Sequence, residues 1–137
     1  MKIKAESKFI RISPRKARLV ADLIRPMSIN EALLTLKHLP QKAGTPVLKV
    51  LQQAIANAVN NHHLAKDSLK IQLIEVNAGP VYKRSQPISR GRAHPIKKRT
   101  SHIKIILTDQ NDLNSKSKIL NSKQIQNTKT EKLKTKK

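Results

Sequence analysis

The sequence predicts an α+β domain: a three-stranded antiparallel sheet with about three helices packed on one face and a long extended β-hairpin. Three observations predict it. Strand-like runs lie at residues 2–12, Ile71–Val76 and Ile103–Leu107. Between the first two, apolar residues recur at helical spacing in three separate stretches. Between the last two, GPVYKRSQPISRGRAHPIKKRTSHI (Gly79–Ile103) holds seven Lys or Arg, no acid, and Gly and Pro residues that forbid a long helix. Strands flanking such a stretch make it the basic finger of a hairpin spanning about residues 70–108. The order strand, three helices, strand, finger, strand places helices on one face of an antiparallel sheet.

In the first strand Ile3, Ala5 and Phe9 share one face, with Lys2, Lys4, Glu6 and Lys8 on the other. Ser13-Pro14 reads as a helix start, Ser as N-cap and Pro at the first helical position. Ala17, Val20, Ala21 and Ile24 follow on one stripe, and Pro26 ends it. Ser28-Ile29-Asn30-Glu31 is a capping box for a short second helix running through Leu33 and Leu36 to Pro40. The third helix carries Val47, Leu51, Ala54, Ile55 and Ala58, and stops in the cluster Asn60–His63. Its start has two readings: near Gln41 with Pro46 early in the helix, or capped by Thr45.

A chain of 137 residues suits one domain of ordinary size, and 37% hydrophobic residues imply a small core. A net charge of +21 repels itself unless a partner neutralises it. Nucleic acid is the first candidate and an anionic membrane surface the second. No apolar run reaches membrane-spanning length, no membrane partner is expected, and MKIKAESKF lacks a signal-peptide core, so no export is expected. The absence of cysteine excludes disulfides and thiol chemistry. Composition breaks near Asp109–Asn111. Residues 110–137 hold eight Lys and two acids, so +15 of the charge belongs to residues 1–109. The reading is a domain over 1–109 and a disordered basic tail over 110–137.

The finger's cations are Lys83, Arg84, Arg90, Arg92, Lys97, Lys98 and Arg99, interleaved with small Ser85, Ser89, Gly91 and Ala93. Small residues let backbone approach a surface, and Arg offers planar donors to phosphate oxygens. Pro80, Pro87 and Pro95 stiffen the path. Read as a loop, the finger is longer than ordinary hairpin connections. Ordering roughly fifteen such residues costs about 1–2 kcal/mol each in backbone entropy, which so few apolar side chains do not recover. The finger is therefore expected to be mobile when free and fixed by its partner.

Arg15, Lys16 and Arg18 crowd the start of the first helix, where the macrodipole disfavours cations. Phosphate bound at that end removes the conflict. Phe9 and Tyr82 are the only aromatic residues, which argues against modules that stack single-stranded bases on an aromatic platform. Tyr82, at the finger base, can stack on a base or pack on its own strand, and both readings stay open.

No enzyme is expected, and no cofactor or metal. The five His residues lack metal-ligand spacing, and Glu6, Asp22, Glu31, Asp67, Glu75 and Asp109 form no local pair for acid–base work. There is no phosphate-cradling Gly-rich loop and no nucleophile elbow.

Several segments together resemble one family, the bacterial-type large-subunit ribosomal protein family numbered twenty-two. They are IRISPRKARLVADLIR (Ile10–Arg25), LKVLQQAIANAVNN (Leu48–Asn61), GPVYKR (Gly79–Arg84), GRA (Gly91–Ala93) and KRTSHIKIIL (Lys98–Leu107). The similarity covers about residues 5–109. It implies an α+β body near the tunnel exit of the large subunit and a hairpin threaded into ribosomal RNA, its tip lining the tunnel for the nascent chain. The rRNA-binding set carried over is Arg11, Arg15, Lys16, Arg18, Lys83, Arg84, Arg90, Arg92, Lys97, Lys98 and Arg99. The tunnel-lining set is Tyr82, Lys83, Arg84, Ser85, Gln86, Pro87, Ile88, Ser89, Arg90, Gly91 and Arg92. Implied partners are large-subunit rRNA, neighbouring large-subunit proteins and the nascent polypeptide, with no homo-oligomer. The implied location is a bacterial cytoplasmic ribosome, with an organellar one left open. Departures from the family pattern are Ile88-Ser89 where Arg-Ala is usual, Val59 where an acid is common, Pro46 inside the third helix, and the tail.

The leading reading is a structural RNA-binding protein of the large ribosomal subunit. The first alternative is an architectural DNA-binding protein with a basic β-arm, which usually needs paired arms and apolar wedges that this sequence lacks. The second is an RNA-processing enzyme, recognisable by metal-dependent cleavage.

Overall fold

The fold is that of a computed structural model, which describes residues 1–109. The expected tail over 110–137 lies outside the described residues. The elements are β1 (Lys2–Ile10), α1 (Pro14–Ile24), α2 (Ile29–His38), α3 (Gly44–His62), β2 (Leu69–Pro87) and β3 (Ala93–Asp109). The sheet is antiparallel with order β1-β3-β2, so the last strand is central. Ile103, Ile105 and Leu107 of β3 alternate with Lys104 and Ile106 and are fully buried. The helices cover that face with Ala17, Val20, Ala21 and Ile24 of α1, Ala32 and Leu36 of α2, and Val47, Leu51, Ala54 and Ala58 of α3. The α+β class, the three helices and the three strands are as expected. Among the described residues no helix is long and apolar enough to cross a membrane.

The start of α2 follows local chemistry closely. The Ser28 hydroxyl accepts from the Glu31 N–H at 3.4 Å, and the Ser28 N–H donates to Glu31 Oε2 at 3.0 Å, completing the capping box. The Ser28 N–H, and after it the Ser28 side chain, hold the Glu31 carboxyl below its usual range. A carboxyl depressed on folding contributes stability above its unfolded pKa and loses it as pH falls through the lower folded value. Ser28→Ala is expected to cost about 1 kcal/mol, within roughly 0.5–2, in urea unfolding at neutral pH. The Ser28 N–H, the larger influence on Glu31, survives in the variant, so most of the deficit should persist in acid.

Three details depart from expectation. Phe9 does not join Ile3 and Ala5 inside; it is 57% exposed with a φ of 58°. The pairing slips between Ser7↔Ile103 and Ile10↔Ser101, so β1 carries one extra residue there. This bulge turns Phe9 outward, where its N–H donates to His102 Nδ1 at 3.0 Å and its ring meets the imidazole edge-on at 4.9 Å. At α1, Ser13 is the N-cap by backbone, and its carbonyl accepts the Ala17 N–H, but its hydroxyl makes no capping bond. At α3, the helix begins at Gly44 with Ala43 as N-cap, so Thr45 and Pro46 both fall in the first turn, where a missing N–H is tolerated. Val50 joins the buried stripe of α3, while Ile55 is only partly buried.

Candidate nucleic-acid interface

The finger is not a long loop. Its two strands stay paired from Val81↔Arg99 to Pro87↔Ala93, and only residues 88–92 turn. At the usual strand rise this ladder reaches about 20 Å beyond the body. Its side chains are almost all exposed. Pro87 and Pro95 are accommodated because a two-stranded ribbon consists of edges, where a missing N–H need not break a ladder.

A bulge separates arm from body. Register moves between Ala78↔Ser101 and Val81↔Arg99, so Gly79 and Pro80 together oppose Thr100. Thr100 is buried, and its Oγ1 donates to the Pro80 carbonyl at 2.7 Å. A Cβ on Gly79 would overlap Thr100 Oγ1 and crowd the His102 ring, so the close approach requires glycine. A Gly-Pro pair inside a strand run is a bulge signal legible in sequence.

Directly opposed residues share a face of the ribbon. Lys83 therefore faces Lys97 across the ladder, and Tyr82 faces Lys98. Like charges directly opposite are destabilising. Among the described residues the acids lie elsewhere: Glu6 pairs with Lys4 at 2.9 Å, Asp22 with Arg25 at 3.2 Å and Glu75 with Lys104 at 2.8 Å. At the tip, the Ile88 N–H donates to the Arg92 carbonyl at 2.8 Å, and both Arg90 (φ 61°) and Gly91 (φ 69°) are left-handed. Glycine adopts that conformation freely, whereas an L side chain there carries a cost of roughly 1–2 kcal/mol. Arg90 and Arg92 are exposed on this turn, with Ile88 and Ser89 beside them.

The arm base closes against the body. Lys97, Lys98 and Arg99 of β3 and Tyr82 and Arg84 of β2 face Arg11, Lys16 and Lys42 across a cleft of about 1070 Å³. The guanidinium groups of Arg11 and Arg84 lie over the Tyr82 ring at 5.8 and 5.6 Å from its centroid. Tyr82 is thus at the arm's base, five residues before Pro87, rather than at the turn. Arg15 is exposed on the same helix but does not line this cleft. Arg18 turns to β2, where Nε and Nη2 donate to the Val76 carbonyl at 3.2 and 3.1 Å. Lys42, between α2 and α3, was not anticipated; only the tertiary fold brings it here. Among the described residues no cluster of His, Cys, Asp or Glu could hold a metal ion.

The geometry suits anion binding over the arm and its base. A family model described as ribosomal protein L22p/L17e matches residues 5–108. The chain belongs to the L22p/L17e family. Similar relatives include proteins named large ribosomal subunit protein uL22 in three bacteria. The Mycoplasma capricolum protein is 50% identical over 110 residues, covering 80% of this chain and 99% of that one. The Desulforamulus reducens protein is 47% identical over 112 residues, covering 82% and 99%. The Metamycoplasma hominis protein is 56% identical over 103 residues, covering 75% and 80%. The L22p/L17e match takes in α1, the bulge and both arm strands, so every rRNA-binding candidate named from sequence falls inside it.

Proposed function

We propose that this protein is a structural, non-catalytic constituent of the large ribosomal subunit that binds and organises its RNA. The body neutralises phosphate at the subunit surface, beside neighbouring large-subunit proteins of a bacterial-type cytoplasmic ribosome. The arm inserts between RNA segments, and its turn at residues 88–92 reaches the wall of the tunnel that carries the nascent chain. One observation carries the RNA reading. Among the described residues the arm extends a row of cations without acid partners, with Lys83 directly across from Lys97, in a ribbon that buries almost nothing of its own. That arrangement works against the isolated protein and becomes favourable once phosphate surrounds it. On this reading the arm is held in place by RNA rather than by its own packing.

Binding to large-subunit rRNA should weaken steeply with salt. Engagement of about five cations gives a log–log slope of roughly −3.5 to −4.5, at about 0.7–0.9 per phosphate. A flat response would contradict phosphate recognition. Co-sedimentation with salt-washed large subunits tests the assignment in cells, and recovery only in the free pool would overturn it.

A further inference from the structure

The cleft at the arm base differs chemically from the rest of the interface. Beyond its base the arm offers cations among small polar residues, with Ile88 exposed at the turn, a surface suited mainly to phosphate. The cleft adds apolar walls: Tyr82, the only tyrosine of the chain, and Leu19, which is 62% exposed on α1. No acid lines it. Its volume of about 1070 Å³ lies just above the usual range of small-ligand sites, about 300–1,000 Å³, and is far too small for a duplex. Among the described residues the lining combines apolar surface, planar guanidinium groups and ammonium groups, without carboxylates.

We propose that this cleft takes a single unpaired nucleotide of the bound RNA. Its base stacks on the tier formed by Arg11, Tyr82 and Arg84, and its phosphates meet Lys16, Lys98 and Arg99. The inference rests on the RNA-binding reading above and adds a site to it. Unstacked bases are read in RNA by stacking on aromatic rings and on Arg planes, and both surfaces are already layered here. Leu19 in the lining supplies further apolar surface. Ser13, whose hydroxyl makes no capping bond, also lines the cleft, so the start of α1 opens onto it with backbone N–H groups free of a side-chain cap.

The test measures binding of the full chain to transcribed large-subunit rRNA across a salt series, for wild type, Tyr82→Phe, Tyr82→Leu and Tyr82→Ala. The ring should matter, and its loss leaves the surrounding cations in place. Tyr82→Ala and Tyr82→Leu should each weaken binding by about 5- to 150-fold with the salt slope unchanged, while Tyr82→Phe stays near wild type. Wild-type affinity in Tyr82→Ala or Tyr82→Leu, with a steep slope retained, overturns the nucleotide site and leaves the general reading standing. A flat slope in wild type instead sinks the RNA reading itself. Folding of each variant is checked by circular dichroism. If the variants misfold, wild-type tyrosine fluorescence decides: the chain has one Tyr and no Trp, so emission reports this site directly. Quenching on RNA binding, after inner-filter correction, is expected, and unchanged emission overturns the proposal.

Discussion

Replacing Ile105 with alanine should lower the free energy of unfolding by about 2–5 kcal/mol. Ile105 is fully buried at the middle of the central strand, between Ala5 of β1 and Ile74 of β2. Its side chain points to the face covered by the helices, so truncation leaves a void walled by sheet on one side and helices on the other. Single domains are stable by only about 5–15 kcal/mol in total, so this loss is a large share. The midpoint of urea unfolding measures it. Ile88→Ala provides the contrast. That residue is exposed in the turn, and its replacement should stay within about 0.5 kcal/mol. Equal effects at the two positions would mean that the arm, and not the sheet under the helices, holds the stability.

Converting Lys83, Arg84, Lys97, Lys98 and Arg99 together to glutamine should have opposite effects on binding and on stability. Removing a cation that engages phosphate flattens the log–log salt slope by about one, so the combined variant should have a slope shallower by roughly four and little affinity for rRNA at low salt. The free protein should not suffer. The Lys83–Lys97 juxtaposition is repulsive, and removing a like-charge cross-strand pair returns about 0.2–1 kcal/mol. Thermal unfolding of the variant should therefore occur at the same temperature as wild type or slightly higher. A fall in both affinity and stability would show that these cations serve the fold.

What the sequence displays clearly is local. The capping box Ser28–Glu31 is two bonds within one turn, and the pattern announces both. The alternation Ile103, Ile105, Leu107 identifies a half-buried strand without reference to anything else. The cations at 83–99 are visible as charge, and their exposure follows because few partners of opposite sign exist nearby. What is hidden depends on register across the sheet. Strict alternation points Phe9 inward; one extra residue in β1 reverses it, and the acceptor for its N–H is His102, far along the chain. The extended hairpin is legible from its flanking strands, but how far its pairing runs is not, because Pro and Gly suppress strand signals while a ribbon of edges tolerates both. Arg18 resembles its neighbours Arg15 and Lys16 in sequence, and only the approach of β2 gives it the Val76 carbonyl. The cleft is invisible for the same reason: Lys42, Arg11 and Tyr82 are remote in sequence and meet only after folding.

The central claim is that the arm lies inside RNA in the assembled particle. The chain contains no cysteine, so Ser85→Cys at an exposed arm position creates one unique attachment point for an iron chelate that releases hydroxyl radicals. Large subunits assembled with the tethered protein should show strong rRNA strand scission at a few clustered sites, absent when the cysteine-free protein carries the same treatment. Cleavage no greater than that control would mean that residues 83–99 stand clear of the RNA, and the claim would fail.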